Sequence, residues 1–263
     1  MTSIITLNPI APSQRMRNTI RSEVDKLRSV RSTAWTIAVT LIGALAITAI
    51  SAEHIASQHH PFFQFDSTNM ALNGAAIASL ALGVLGILAI SGEYSSGTIR
   101  ASLSATPNRL RFLLAKVAVV GVLALVVSEV LTFSCFFLGM DIIKGSRVHT
   151  ASLGQPGVLR AVVLTGAFLA VLAVFAVGIG LIIRHTAGAL ATFVGVTLLL
   201  PVLLNQLGAS VTRFSPELML GNSVSAVNVQ SNFLSPTGSF ILMCGYAAVT
   251  LVIGATLLNR RDA

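Results

Sequence analysis

Charge is scarce in this chain. Only 10% of its 263 residues are Asp, Glu, Lys or Arg, while 54% are hydrophobic and the mean hydropathy is +0.84. That balance excludes an ordinary soluble globular domain and places the chain in the membrane class. Cysteine is scarce too. Cys135 and Cys244 both lie inside apolar runs, and no CxxC or Cys/His metal spacing occurs, so both read as small buried hydrophobes. There is no GxxxxGK[ST] segment, which excludes ATP held by a Walker loop on this chain, and no HExxH segment, which excludes that class of metalloprotease. Glu129 is the one acid well inside an apolar run and no histidine lies within one, so an intramembrane hydrolase would lack a base partner. The opening MTSIITLNPIAPSQ has no basic n-region, and Pro9 and Pro12 interrupt its short apolar stretch. It is therefore not read as a signal peptide, and residues 1–14 are expected to be a disordered tail.

What the chain has in abundance is long apolar runs. A spanning helix needs about 20 apolar residues, and six runs qualify, at about 34–52, 70–92, 112–140, 161–183, 186–207 and 238–259. Each is too long for a strand, and backbone groups in lipid must be satisfied within the segment, so all six are expected to be helices of one six-span domain over 15–263. The fold class is an all-α integral membrane protein. Six spans leave both termini on one side. Thirteen of the seventeen basic residues fall on that side: Arg15, Arg17, Arg21, Lys26, Arg28 and Arg31, then Arg100, Arg109, Arg111 and Lys116, then Arg184, Arg260 and Arg261. Lys144, Arg147, Arg160 and Arg213 fall on the other. The positive-inside rule makes the first side, with both termini, cytoplasmic. The net charge of +8 is then mostly a topology signal, and nucleic acid is not a partner. Trp35, just inside the first run, suits an interfacial anchor.

Three polar features stand out against this background. In RMRNTIRSEVDKLRSVR (15–31), Met16, Ile20, Val24, Leu27 and Val30 recur at spacings of four, four, three and three. They form one apolar stripe on a basic helix, which either lies in the headgroup plane or packs on a soluble partner. Second, Glu129 lies thirteen residues beyond Lys116, about 20 Å deeper at 1.5 Å per residue, past the midplane of the membrane. A charge there must face protein or water, either as a polar partner within the bundle or as part of a transport pathway. Third, His54, His59 and His60 share the first loop with Glu53 and Asp66, and the choice lies between metal ligation and simple solvation, with solvation favoured.

A further polar stretch, SGEYSSGTIRASLSATPNR (91–109), directly follows the second run and is long for a turn. Ile99 and Leu103 lie one helical turn apart, Tyr94 stands slightly more than a turn earlier, and Glu93 would suit a helix N-terminus. Pro107 would end the segment. A short amphipathic helix lying against something on the cytoplasmic face is expected, over about 93–104. Gly97 either admits a close partner backbone or breaks the helix.

The segment GEYSSGTIRASLSATPNRLRFLLAK (92–116) resembles the first intracellular loop of ABC transporter type-2 permeases, through Gly92, Glu93, Tyr94, Gly97, Thr98, Ile99, Arg100, Pro107, Arg109 and Lys116. DKLRSVRSTAW (25–35) is similar to that family's entry into its first span, and the six-span layout agrees more loosely. The resemblance implies a permease half of an ATP-driven exporter in the cell membrane. It implies a coupling helix carrying Glu93, Tyr94, Gly97, Thr98, Ile99, Arg100 and Leu103 that docks on a separate ATPase. It also implies a connecting helix carrying Arg21, Lys26, Leu27, Arg28 and Arg31. ATP and Mg would be held by two copies of the ATPase, with no cofactor, metal or catalytic residue on this chain. Two permease chains would face each other, a homodimer being favoured over a heterodimer. A partly helical external connection between spans five and six fits 208–237, with Pro216 and Pro236 as punctuation. An apolar cavity would favour an amphipathic or lipid-like cargo. The alternative is a membrane anchor or assembly protein without transport; a carrier independent of ATP would call for an inverted repeat, and none is evident.

Overall fold

The structure is a computed structural model that describes residues 12–29, 31–57, 66–105, 108–146, 148–206, 209–226 and 234–261. Those residues form helices and no strand. In chain order they are α1 (Pro12–Ser29), α2 (Arg31–Ala56), α3 (Ser67–Ala71), α4 (Ala75–Ser95), α5 (Thr98–Ala105), α6 (Arg109–Ile143), α7 (Val158–Ile183), α8 (Thr186–Val194), α9 (Leu200–Asn205), α10 (Ala209–Thr212), α11 (Pro216–Val224) and α12 (Pro236–Arg261). Six stretches are long and apolar enough to cross a membrane: α2, α3–α4 as one, α6, α7, α8–α9 as one, and α12. They overlap the six expected runs: five reach a few residues further at one or both ends, while α8–α9 starts at the expected 186 and ends at Asn205, two residues short of 207.

Burial divides the spans. α7 and α4 are the inner ones, 72% and 61% buried, while α2, α8–α9 and α12 are only 17–22% buried and carry apolar side chains outward. Small residues let the inner helices touch. A Cβ on Gly86 would stand 2.2 Å from the Ala173 carbonyl oxygen of α7, and one on Gly178 would stand 2.4 Å from the Thr250 hydroxyl of α12. Backbone contact of this kind is how helices associate in lipid, where hydrophobic driving force between them is weak. The Ser128 hydroxyl of α6 adds a hydrogen bond of 2.8 Å to the Gly166 carbonyl of α7.

Local rules set the breaks. Asp66 caps α3 by accepting from the Thr68 and Asn69 amides, and Asn108 caps α6 by accepting from the Arg111 amide. Between α8 and α9 the helix widens to a π turn over Gly195–Leu199, directly ahead of Pro201. Proline lacks an amide and crowds the carbonyl four residues back, here Thr197, and the wider turn relieves both.

α1 and the end of α12 come to one face. Arg109, starting α6, donates to the Leu258 and Asn259 carbonyls at the end of α12 (3.1 and 2.9 Å), and Arg184, after α7, donates to Leu257 (3.1 Å). Two guanidinium groups thus satisfy the last carbonyls of α12. α1 packs against α6 on the same face. At the opposite face the Asp66 carboxylate accepts from the Ala226 amide at 2.8 Å, Arg160 donates to the Ser225 carbonyl at 2.9 Å, and Ser67 donates to the His149 carbonyl. These bonds stitch the connections of that face, including the partly helical one with α10 and α11, to the spans.

Candidate coupling site at the terminal face

The polar stretch after the second run folds as two separate pieces, not one helix from residue 93. α4 runs on through Glu93 and Tyr94 to Ser95, and α5 begins only at Thr98. Gly97 makes the break, with φ +71, a backbone conformation in which a Cβ is strained. Nothing lies within 4 Å of where its Cβ would be, so the glycine serves the turn and no neighbour approaches it within the chain. Glu93 is therefore not at a helix N-terminus. It sits in the last turn of a span, 8% exposed. Pro107, expected to end the helix, lies outside the described residues.

What holds Glu93 in so unfavourable a place is a cluster of four ionic groups. Its Oε1 accepts from Lys116 Nζ of α6 at 2.8 Å and from Lys26 Nζ of α1 at 2.9 Å. Glu23 of α1 completes the set, with Oε2 2.6 Å from Lys116 and Oε1 2.7 Å from Lys26. Each ammonium uses three donors: Lys116 adds the Ala89 carbonyl at 3.1 Å, and Lys26 adds the Ser102 hydroxyl of α5 at 3.0 Å. The fully buried Phe112 ring lies beneath both, 5.3 Å from Lys116 Nζ and 5.7 Å from Lys26 Nζ. Two positive and two negative charges cancel, which makes their joint burial tolerable. Burial alone pulls Lys26 down, but the Glu23 and Glu93 carboxylates outweigh it and hold its pKa above the usual lysine value. Lys26 is thus charged throughout the neutral range. Glu93 Oε2 has no donor among the described residues, and beside it is a cavity of about 460 Å³ also lined by Ser32, Thr36, Ser96 and Thr98, with room for water.

The cluster joins four elements: α1 through Glu23 and Lys26, the end of α4 through Glu93, α5 through Ser102, and α6 through Lys116. A second bond to α5 is apolar. Ile99 is buried among Leu85, Ile90, Phe112 and Leu113, with Tyr94 and Leu27 packed alongside. Ile99 thus points into the membrane domain. The outward surface consists of Ser95, Ser96, Gly97, Thr98, Arg100, Ala101 and Ser104, all exposed. Leu103 lies on α5 one turn after Ile99.

Of the α1 residues, Lys26 and Leu27 face inward, while Arg21 and Arg28 are exposed on α1 and Arg31 is exposed at the start of α2. The helix begins at Pro12, three residues before the expected start at Arg15. Lys116, read from sequence as one of the basic residues of the terminal side, is a buried cluster member. Glu23 was not singled out in sequence. The signal available was a charge balance: one cation inside the third run, one acid at the end of the second, and an acid–lysine pair on the preceding helix.

Glu129 does not join this cluster. Its carboxyl lies half-buried over Gly166, where a Cβ would come within 2.6 Å of Cδ. His54, on the last turn of α2, lines a cleft at the opposite face with Ser51, Asp66 and Asn73, while His59 and His60 lie outside the described residues. No group of three metal-binding side chains occurs among the described residues.

Residues 19–200 match the model of a family described as ABC-2 family transporter protein. The chain belongs to the ABC-2 transporter family. The match covers both motifs from which that resemblance is drawn, 25–35 and 92–116. No individually curated protein matches the chain. The ABC-2 chain is a multi-pass membrane permease of an ABC system, a transport component whose family pairs with an ATPase subunit. The four-element ionic cluster lies inside the matched segment of this ABC-2 permease, and so does α5.

Proposed function

We propose that this permease is the membrane half of an ATP-driven exporter, and that α5 is the surface on which a separate ATPase acts. Two permease chains, preferably identical, would work with two ATPase copies that hold ATP and Mg, in the cell membrane with both termini cytoplasmic. The 13-to-4 basic asymmetry supports this orientation.

The observation that carries the reading is the cluster behind α5. A helix whose outer face is free and whose inner face is bonded to three other elements is suited to pass on a push. Ile99 and Ser102 hold α5 to the domain, and Lys26, Glu93 and Lys116 tie that hold to the ends of α4 and α6. Displacement of α5 would draw on the ends of two spans, because Ile99 is buried among Leu85 and Ile90 of α4 and Phe112 and Leu113 of α6, and Ser102 holds Lys26 of the ionic cluster. This is a switch between two packed states driven by nucleotide binding elsewhere, with no bond chemistry on this chain.

Arg100 is exposed on the outer face and suited to an acidic partner. Arg100→Glu is expected to insert and fold normally but to lose ATPase co-purification or to uncouple hydrolysis from export. Wild-type ATPase binding and coupling in that variant would remove α5 from the docking face and favour the anchor reading.

A further inference from the structure

We propose that the inner side of the N-terminal helix forms a discrete binding site for one anionic phospholipid of the membrane leaflet on the terminal face. The site is a groove of about 580 Å³ between α1, the start of α2 and the first half of α6. Its volume falls within the roughly 300–1,000 Å³ of ordinary ligand clefts. Ile20, Val24 and Leu27 of α1 form one wall, and Ile37 of α2 with Val122 and Val126 of α6 form the others. The lining is almost wholly apolar. Ile37, Val122 and Val126 belong to membrane-crossing stretches, and Val122 and Val126 are 62% and 57% exposed. The groove thus opens toward the hydrocarbon, and its occupant has an acyl chain.

The charge at its edge identifies the other end of the occupant. Arg28 lines the groove. Arg17, Arg21 and Arg28 stand at spacings of four and seven, so they share one line along α1, and all three are exposed. That line runs directly beside Val24, the outermost apolar wall residue. Only Asp25, one step further round, opposes it. Lys26 points the other way, into the ionic cluster. An apolar slot open to the bilayer, edged by a ridge of guanidinium groups at headgroup level, matches a lipid carrying a phosphate and a net negative charge. The proposal does not depend on an ATPase or on cargo transport.

The chain has a single tryptophan, Trp35, which is 71% exposed and lies on the side of α2 away from the groove residues Thr33, Ala34 and Ile37, so Trp35→Phe with Ala34→Trp moves the one tryptophan to the groove and serves as the wild-type reference. This full-length protein would be reconstituted in phosphatidylcholine vesicles containing a small fixed fraction of brominated phosphatidylglycerol, or of brominated phosphatidylcholine, and quenching of the groove tryptophan compared. Brominated phosphatidylglycerol is expected to quench several-fold more strongly, about fivefold for each arginine that reaches the phosphate. Arg28→Gln with Arg21→Gln should bring the two lipids close to parity. Val122→Phe, which fills the groove from an exposed position, should do the same while leaving the arginines intact. Helical content by circular dichroism checks that each variant is folded. Equal quenching by both lipids in the wild type would overturn the proposal. So would a preference that survives the arginine changes. A preference lost with the arginines but kept in Val122→Phe would mean attraction to surface charge without a seated lipid, and would overturn the site as well.

Discussion

Lys116 shows how one residue can be placed correctly by sequence and still be misread. Its position near the start of the third apolar run was legible, but the run hides its partners, because Glu23 and Glu93 are 93 and 23 residues away along the chain. With side-chain exposure of 4% and three acceptors, it should be costly to neutralise alone. Lys116→Leu is expected to destabilise the protein by about 3–5 kcal/mol, since it leaves two buried carboxylates sharing the one Lys26 ammonium, a net negative charge. Adding Glu23→Leu should recover a good part of that, as judged by thermal unfolding in detergent; a further additive loss would argue against charge pairing as the cause. Gly97 offers a second test at this scale. Gly97→Val carries a backbone penalty of about 1–2 kcal/mol and no steric one, since its Cβ meets nothing. It should therefore speed amide exchange across α5 while leaving the spans protected. Gly97→Asn, which tolerates positive φ, should change little. Sequence left two roles for Gly97 open because both use the missing Cβ; its φ of +71 shows the helix break, and the other role concerns the backbone of a partner.

Among elements, the membrane spans were legible because twenty-odd apolar residues have few other fates, and their ends agree within a few residues. The boundary between α4 and α5 was not. Glu93 and Tyr94 look like the start of a polar helix, yet the span carries them to its final turn because the cluster satisfies Glu93 there. The π turn before Pro201 also lacks a sequence signature beyond the proline itself. Topology can be checked element by element in a chain whose native cysteines are replaced by alanine. Ser57→Cys, exposed just past α2, should react with an impermeant maleimide in intact cells. Ser104→Cys, exposed on α5, should react only after the membrane is opened. Reaction of Ser104→Cys in intact cells would invert the proposed orientation. Close helix contact can be tested too. Gly86→Leu would drive its side chain into the Ala173 carbonyl of α7, and it should lower the thermal midpoint far more than Gly245→Leu, whose Cβ meets nothing.

For the whole molecule, the uneven burial of the spans sets the question of assembly. α7 and α4 form the interior, and α2, α8–α9 and α12 present apolar flanks that lipid or a second permease must cover. Hydropathy ranks only the extremes, α7 being the most apolar and most buried and α2 the least of both, while α3–α4, α8–α9 and α12 share a hydropathy of 2.2 and differ in burial. The central claim concerns transmission across this body: motion of α5 reaches the opposite face through Lys26, Glu93 and Lys116. The direct measurement is a spin-label distance between Lys144→Cys, exposed beyond the far end of α6, and Glu217→Cys, exposed on α11. It would be taken with the cognate ATPase, with and without trapped nucleotide. The expected result is a nucleotide-dependent change in that distance in the otherwise native chain, and its loss when Lys26→Met and Glu93→Gln open the cluster while the ATPase stays bound. An unchanged nucleotide response in the opened cluster would contradict the account.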